Sequence, residues 1–457
     1  MKKLATEGFP TGARAATLPL MDELFDLPPT PVVDPQPAGR GRPRLQRPNR
    51  GQVVLRPIDL ESLLSPDHRA RLVWAFVEGL DLSPFHARIR AVEGHSGRPA
   101  IDPAILVALW LYATLEGVGS ARALDRLCRE HDAYRWLCGG VSVNYHTLAD
   151  FRAGSADLLD DLLVQSVAAL LASGEVTLNR VAHDGIRVRA SAGAASFHRR
   201  STIERHLAAA EAQVAALKAE LDADPAATNR RIAAASERAA RERAERARAA
   251  LAALPAIEAA KRRRRTAEPS EPARASTTDP EARIMRLGDG AYRPAYNAQL
   301  TTDVGSGLVC AVGVTTSGSD QGELRPAVER LERAFGIRPA ELLADGGYVS
   351  LTEVEALAAC GTTLYAPPMR PRRGRDPDRP LPTDTPAVAA WRTRMGSPSG
   401  QAIYRLRAAS AEWVNALARN RGLQRLVVRG IERVRAVLLW FALAHNLART
   451  LALRAGA

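Results

Sequence analysis

Two apolar stretches that each run into an Asp-Gly pair decide the fold: Asn179-Arg-Val-Ala-His-Asp184-Gly185 and Glu341-Leu-Leu-Ala-Asp345-Gly346. Short apolar or β-branched runs bounded by glycine predict strands. We therefore expect Asp184 and Asp345 at the ends of two strands, each followed by a glycine that lets backbone or substrate approach closely. A single Asp-Gly after a strand usually marks a turn, but the same arrangement twice in one chain points to a site.

The sequence around these stretches alternates between strand and helix patterns. That order predicts an α/β domain with a mixed sheet. The predicted strands cover 176–189, two segments within 296–316, 341–345 and 362–366, and the predicted helices cover 324–335, 352–360 and most of 387–453.

Residues 55–173 have a helical pattern almost throughout. Asp102 and Pro103 predict a helix start, since an N-cap residue is followed by proline at the first helical position. Short helices joined by glycine-bearing turns are compatible with a helix-turn-helix and equally with a plain helical bundle. Residues 1–54 form a basic arm rich in Pro, Gly and Arg, which is expected to stay disordered until it meets an anion. Its arginines are candidate DNA contacts: Arg40, Arg42, Arg44 and Arg47.

A helical insertion is predicted over 201–265. Apolar residues from Ile203 to Leu221 alternate steps of four and three, which is a heptad spacing. Pro225 breaks this helix, and a second helix rich in Arg and Glu follows. The two helices predict a hairpin, either closed only on itself or in contact with DNA or another protomer. The segment 266–289 is predicted to be a linker.

Composition favours an intracellular protein that meets a polyanion. The chain has 63 Lys and Arg against 50 Asp and Glu, a formal net charge of +13, and 46% hydrophobic residues. Such an excess of positive charge suits nucleic acid, since phosphate neutralisation releases counterions. The longest apolar run, Ala436 to His445, is too short to cross a bilayer, and no signal-peptide pattern is present. The four scattered cysteines fit a reducing cytoplasm.

Phosphodiester cleavage by metal ions requires carboxylates that converge from separate elements. Besides Asp184 and Asp345, Glu412 is the best third candidate, because it lies on a predicted helix after the last strand. Asp320 is a rival acid, but its place before a helix predicts an N-cap. His183 is expected to pack within its strand. A zinc site is not expected, because the spacing matches no common site, although four residues form a candidate cluster: Cys128, His131, Cys138 and His146.

Several stretches, taken in this order, resemble the DDE-type insertion-sequence transposases of bacteria, in the group with a helical N-terminal domain followed by a catalytic domain. The resemblance extends from about residue 55 to 449. The stretches that carry it are Arg98-Pro-Ala-Ile-Asp-Pro103, Tyr134-Arg-Trp-Leu-Cys-Gly-Gly140, Asn144-Tyr-His-Thr-Leu-Ala-Asp-Phe-Arg152, His183-Asp-Gly185, Tyr292-Arg-Pro-Ala-Tyr-Asn297, Ala344-Asp-Gly-Gly-Tyr348 and Tyr404–Arg419.

The resemblance implies a fold and a set of functional residues. It implies an RNase H-like catalytic domain over 174–200 and 290–457, interrupted by the hairpin and preceded by a helical DNA-binding domain over 55–173. It also implies that Asp184, Asp345 and Glu412 are catalytic and hold Mg²⁺ or Mn²⁺. Tyr404, Arg407 and Glu412 match the first three places of a Tyr-Arg-Glu-Lys signature, in which Tyr404, Arg407 and Arg419 are expected to contact DNA.

This signature departs from the family pattern in two respects. Arg419 stands where lysine is usual, and arginine keeps the charge without being equivalent to lysine. The spacing from Arg407 to Glu412 is also one residue longer than the commonest form.

The implied activity is transposition: binding of the ends of an insertion sequence, cleavage that releases a 3′-hydroxyl, and attack of that hydroxyl on target DNA. The implied partners are terminal inverted repeats, target DNA and a second protomer in a synaptic complex. Two alternatives remain open, namely an inactive or repressor-like DNA-binding remnant and a metal-dependent nuclease without transposition activity. Inverted repeats flanking the gene would distinguish the transposase from both.

Overall fold

The computed structural model describes residues 59–92, 94, 99–223, 230–263, 272–369 and 376–455. Over these ranges the chain is a mixed α/β protein in which a helical N-terminal region precedes a mixed sheet. The predicted basic arm over 1–54, with Arg40, Arg42, Arg44 and Arg47, lies outside the described residues, so its role in DNA binding stays a prediction.

The N-terminal region is helical because its sequence supplies caps and turn residues. Asp102 accepts a hydrogen bond from the Ala104 N–H at 2.8 Å, with Pro103 at the first helical position, which confirms the predicted helix start. Asn144 caps a later helix by accepting from the Thr147 N–H at 3.0 Å. The helices are α1 (Arg69–Glu78), α2 (Ser83–His86), α3 (Pro103–Leu115), α4 (Ala121–Glu130), α5 (Asp132–Cys138), α6 (Tyr145–Ala153) and α7 (Ala156–Ala172).

The main sheet has six strands, with β1 (Arg180–Arg189) in its interior. β1 pairs antiparallel with β5 (Tyr292–Asp303) on one side and parallel with β7 (Glu341–Leu343) on the other. Parallel and antiparallel pairs therefore meet at β1, and the predicted mixed sheet is present. The remaining strands are β8 (Thr363–Tyr365), parallel to β7, and β4 (Arg283–Arg286) and β6 (Val309–Thr315), both antiparallel to β5.

The helices after β6 follow the predicted order closely. The predicted helix over 324–335 is observed, and the helix and strand predicted over 352–360 and 362–366 are shifted or shortened by one residue at their ends. These helices are α10 (Leu324–Phe335), α11 (Leu351–Ala359), α12 (Pro386–Gly396), α13 (Pro398–Arg407), α14 (Trp413–Asn420) and α15 (Ile431–Ala455).

α15 joins the helical region to the sheet, since it packs against α3, α6, α7 and β6. Trp440 on α15 is buried and donates a hydrogen bond to the Arg152 carbonyl of α6 at 3.2 Å. A single hydrophobic core consequently spans both regions. By length and composition alone, α15 is the one described helix able to cross a membrane, and 67% of its apolar window lies buried inside the protein.

Two long helices, α8 (Arg200–Ala223) and α9 (Arg230–Arg263), pack against each other as a hairpin. A small separate core joins them, with Ile203 from α8 and Leu254 from α9 fully buried. Several arginines of α9 bond to side chains of the hairpin itself. Arg248 pairs with Glu211 at 2.6 Å, and further contacts join Arg241 to Glu237, Arg246 to Glu242 and Arg243 to Gln213.

The segment 266–289, which composition predicts to be a linker, is folded over its described part, 272–289. β3 (Ala275–Ser276) pairs with β2 (Phe197–His198), and β4 adds to the main sheet. Buried Asp279 accepts hydrogen bonds from the Tyr296 hydroxyl at 2.7 Å and the Gly430 N–H at 3.2 Å. These are contacts between residues distant in sequence, which composition does not reveal.

Candidate active site

Asp184 lies in the middle of β1. It is paired with Leu300 of β5, and the next residue, Gly185, continues the ladder opposite Gln299. The strand predicted over 176–189 is present as β1, but the expectation that it ends at Asp184 is wrong, because Gly185 keeps an extended backbone and β1 runs on to Arg189. The glycine serves a close approach here, not a turn.

Asp345 follows the strand next to β1 and lies near Asp184. The parallel register of β1 and β7 pairs Ala182 with Leu343, and two residues further along each chain come Asp184 and Asp345. β7 ends at Leu343, and Asp345 precedes a short 3₁₀ turn over Gly346–Tyr348. The strand therefore does end just before this Asp-Gly pair, and the two acids line the same cavity.

Glu412 joins the site through a π-helical turn, Ala408–Glu412, between α13 and α14. In an α-helix, residues five apart point about 140° away from each other. A π turn adds one residue to the helical repeat, so Arg407 and Glu412 come to the same side. The Arg407 Nη2 donates to Glu412 Oε1 at 2.6 Å. The extra residue in the signature is thus absorbed by the helix geometry.

Arg407 bridges two of the three acids. Its Nη1 donates to Asp184 Oδ2 at 3.0 Å, while the Gly185 N–H donates to Asp184 Oδ1 at 2.9 Å. The Arg407 and Asp184 side chains are only 10% and 17% exposed, whereas that of Glu412 is 51% exposed. Arg407 is therefore held chiefly by Asp184, in a place that water reaches poorly. Tyr404 lies under the guanidinium, 5.9 Å from the ring centroid.

The charges of this cluster shift one another's ionisation. Burial raises the pKa of Asp184, and the nearby Asp345 and Glu412 act in the same direction. Arg407 and the Gly185 N–H lower it, but the pKa of Asp184 remains above its usual value. Burial alone would lower the pKa of Arg407, but Asp184, Tyr404 and Glu412 raise it overall. The guanidinium thus stays charged and partly offsets the effect of burial on the pKa of Asp184.

Asp320 lines the same cavity as Asp184 and Asp345, and it does not cap a helix. It accepts hydrogen bonds from Arg187 at 2.9 Å, Asn297 at 2.6 Å and Gln299 at 3.2 Å. Glu323 occupies the cap position before α10 and makes no capping bond with its side chain. The N-cap prediction for Asp320 is therefore wrong, because its carboxylate accepts hydrogen bonds from side chains of β1 and β5 and not from the backbone of α10.

Gly185 is required by the packing above it. A Cβ there would lie 2.7 Å from the Tyr348 hydroxyl, 2.8 Å from Gln299 Nε2 and 3.0 Å from Asn297 Oδ1. The Tyr348 hydroxyl in turn donates to Gln299 Oε1 at 2.7 Å. His183 is fully buried and bonded to Thr301 at 2.9 Å, so the prediction that it packs within the strand is confirmed.

Gly185 and Tyr348 line an open cavity of about 790 Å³, whereas Arg407 and Glu412 are not among its lining residues. Its acids include Asp184, Asp320 and Asp345, and Arg419 of α14 also lines it. The other arginines of its wall are residues that the sequence prediction missed, although the Arg-Val-Arg alternation on β1 places two of them on one face of that strand. They are Arg187, Arg189, Arg293 and Arg425.

The donor chemistry of the site suits a hard divalent cation, because carboxylate oxygens are the ligands that Mg²⁺ and Mn²⁺ prefer. In the arrangement shown, however, the Arg407 guanidinium takes the place between Asp184 and Glu412 that a cation would need. Among the described residues, no group of three or more His, Cys, Asp or Glu side chains is close enough to hold a metal ion. Cys128, His131, Cys138 and His146 likewise do not form such a group in the described part of the chain.

Comparison with known families gives two matches on this chain. Residues 58–154 match the family described as Transposase domain (DUF772), and residues 382–451 match the family described as Transposase DDE domain. The first covers α1 to α6 of the helical N-terminal region, and the second covers Arg407, Glu412 and Arg419. No curated protein and no solved structure matches the chain. The two matches confirm the resemblance to DDE-type insertion-sequence transposases.

Proposed function

Since this chain is related to the DDE-type transposases of insertion sequences, we propose that it binds the ends of such an element and catalyses DNA cleavage and strand transfer. One observation carries the proposal. Asp184 from an interior strand and Glu412 from a π turn meet on one guanidinium, and Asp345 follows the strand next to Asp184. Carboxylates that converge from separate elements are what phosphodiester chemistry requires.

The mixed sheet would be the RNase H-like core that the resemblance implies. Antiparallel pairing on one side of β1 and parallel pairing on the other place Asp184 in the centre of the sheet and Asp345 beside it. The hairpin of α8 and α9 leaves the sheet after β1 and returns before β4, so the insertion interrupts the catalytic domain without entering it.

Asp184, Asp345 and Glu412 would hold Mg²⁺ or Mn²⁺ once Arg407 releases its two acids. When bound, such ions lower the pKa of the attacking water or hydroxyl and stabilise negative charge on the leaving oxygen. Until DNA and metal arrive, Arg407 would hold Asp184 and Glu412 through its two hydrogen bonds. Because the guanidinium forms charge-assisted hydrogen bonds with phosphate as readily as with carboxylate, an incoming phosphodiester can take it over.

Each step of the reaction forms one P–O bond and breaks another. Water attacks the phosphorus at the element's end, the P–O3′ bond breaks, and a free 3′-hydroxyl and a 5′-phosphate remain. That hydroxyl then attacks a target phosphodiester, so one P–O bond forms as another breaks and no external energy source is required. The cavity's arginines would position the backbone during both steps, since five of them line the wall that also carries the acids.

The rest of the proposal concerns binding and assembly. The helices over 59–172 would bind the element's end, the arm over 1–54 would add a salt-sensitive contact, and two ends would be held by a dimer or larger complex in the cytoplasm. The hairpin's arginines bond mostly to side chains of the hairpin itself. We therefore place the main DNA contact at the cavity.

The experiment uses the full chain and a DNA substrate that carries the sequences flanking its gene, with Mg²⁺ or Mn²⁺. Asp184→Asn, Asp345→Asn and Glu412→Gln should each abolish cleavage and joining while end binding persists. Asp289→Asn is the matched control, since Asp289 lines the same cavity but pairs with Arg293 at 3.1 Å. Cleavage by any of the three variants at the control's rate would remove that residue from the site. Cleavage without joining in the unmodified chain would favour a nuclease.

A further inference from the structure

One end of the cavity is built from two segments that lie far apart in sequence. The loop after α14 runs beside the end of β1: the Arg189 N–H donates to the Gln424 carbonyl at 3.2 Å, and the Leu426 N–H donates to the Arg189 carbonyl at 2.8 Å. This parallel bridge fixes Arg189 next to Arg425. Both arginines line the cavity that contains Asp184 and Asp345.

These two arginines differ from their neighbours in charge balance. Arg187 pairs with Asp320, and Arg293 pairs with Asp289. Arg189 and Arg425 have no acidic partner among the described residues, and the buried Nε of Arg189 has no hydrogen-bond partner there. A buried guanidinium nitrogen without an acceptor is uncommon in folded proteins. Here it lies at the edge of an open cavity, where a ligand oxygen could accept its hydrogen bond.

We propose that Arg189 and Arg425 form a clamp for the phosphodiester backbone of duplex DNA that flanks the bond to be cut. The clamp rests on the proposed function, since it needs DNA at the acids. Planar guanidinium groups bind phosphate oxygens through paired hydrogen bonds, and neither residue contacts a base in this role. The contact is therefore independent of DNA sequence and sensitive to salt.

The distance along β1 sets where the clamp acts. Arg189 is five residues beyond Asp184 on the same strand, a separation of about 16 Å at the usual rise of a strand. Each DNA strand places a phosphate about every 3.4 Å along the helix axis. The clamped phosphates consequently lie within about five base pairs of the scissile one.

The test measures binding of the full chain to a short fluorescein-labelled DNA duplex in EDTA, where no cleavage occurs, over a range of salt concentrations. Arg425→Gln and Arg189→Gln should each make the slope of log K against log salt shallower by about 1, and the double variant by about 2. At 0.1 M salt, each lost contact corresponds to roughly eightfold weaker binding. Arg189→Lys should keep most of the slope, because the charge remains.

Arg333→Gln is the matched control: Arg333 is exposed on α10 and does not line the cavity. Arg425 is also exposed, so Arg425→Gln should leave the fold intact. If Arg189→Gln unfolds the protein, circular dichroism will detect it, and Arg425→Gln still tests the clamp. Slopes for both cavity variants equal to that of Arg333→Gln would overturn the clamp. Failure of the unmodified chain to cleave DNA with metal, with the slope changes as expected, would instead overturn the proposed cleavage and leave only the contact of Arg189 and Arg425 with the DNA backbone.

Discussion

Replacing Arg407 with leucine tests whether this arginine holds the acids of the site in a poorly hydrated place. The two ion pairs of Arg407 differ in exposure. The Asp184 side chain is 17% exposed, so Arg407→Leu leaves a nearly buried carboxylate without its partner. The expected cost is about 3 kcal/mol of unfolding free energy, at the lower end for breaking a buried pair. The Glu412 side chain is 51% exposed, and water replaces the guanidinium there at a cost of less than about 1 kcal/mol.

The assay is urea unfolding at neutral pH, followed by tryptophan fluorescence, for three variants. Arg407→Leu should lose about 3 kcal/mol, and Glu412→Gln, which breaks only the exposed pair, should lose less than about 1 kcal/mol. The double variant Asp184→Asn with Arg407→Leu should be more stable than Arg407→Leu alone, because an amide in that position carries no charge to desolvate.

Two results would refute this reasoning. If Arg407→Leu and Glu412→Gln cost the same, the difference in burial between the two pairs does not govern their energies. If the double variant is no more stable than Arg407→Leu, the loss comes from packing of the arginine's aliphatic part and not from an unpaired charge.

Three further predictions follow from the same contacts. Gly185→Ala should destabilise the protein by about 1–3 kcal/mol and reduce cleavage, because its Cβ would meet Tyr348, whereas Gly347→Ala has open space around it and should behave normally; equal unfolding midpoints would contradict this. Arg407→Gln should bind Mn²⁺ about tenfold more tightly in titration calorimetry, since the ion no longer displaces charge-assisted hydrogen bonds worth about 1.5 kcal/mol; unchanged affinity would count against the competition. Burial lowers the pKa of His445 to about 4, so the unfolded chain takes up its proton first and stability is lost as the pH falls from 6.5 through about 4. The neutral imidazole thus contributes about 3 kcal/mol to the change in unfolding free energy with pH. His445→Gln should remove this contribution when urea unfolding is measured between pH 4 and 6.5. An unchanged dependence of the unfolding free energy on pH would contradict the prediction.

The candidate acids could be predicted from sequence because local patterns mark them. An apolar run followed by Asp-Gly, found twice, marks strand residues near a close backbone approach, and Glu412 follows on a helix. The cavity lined by Asp184 and Asp345, and the bridge through Arg407, fit that prediction. The catalytic roles of the three acids remain predictions until the variants are measured.

The role of Asp320 was not predictable in the same way. Its position before α10 gives the local signal of a cap, but its hydrogen bonds go to Arg187, Asn297 and Gln299. Those partners are between 21 and 133 residues away in sequence, and no local periodicity records such contacts. The hydrogen bond between Arg189 and Gln424 could not be predicted from sequence for the same reason.

The sequence by itself determined the order of most helices and strands, the caps such as Asp102, and the identity of the acids, because these depend on backbone propensity and on residues a few positions apart. Tertiary structure alone decided that Gly185 lies in close contact with Tyr348 and Gln299, that a π turn brings Glu412 to Arg407, and that the described part of 266–289 is folded. Each of these depends on which distant groups supply the hydrogen-bond partners and close contacts. The packed fold determines which distant group a side chain bonds to, whereas residues a few positions away in the chain determine its local backbone conformation.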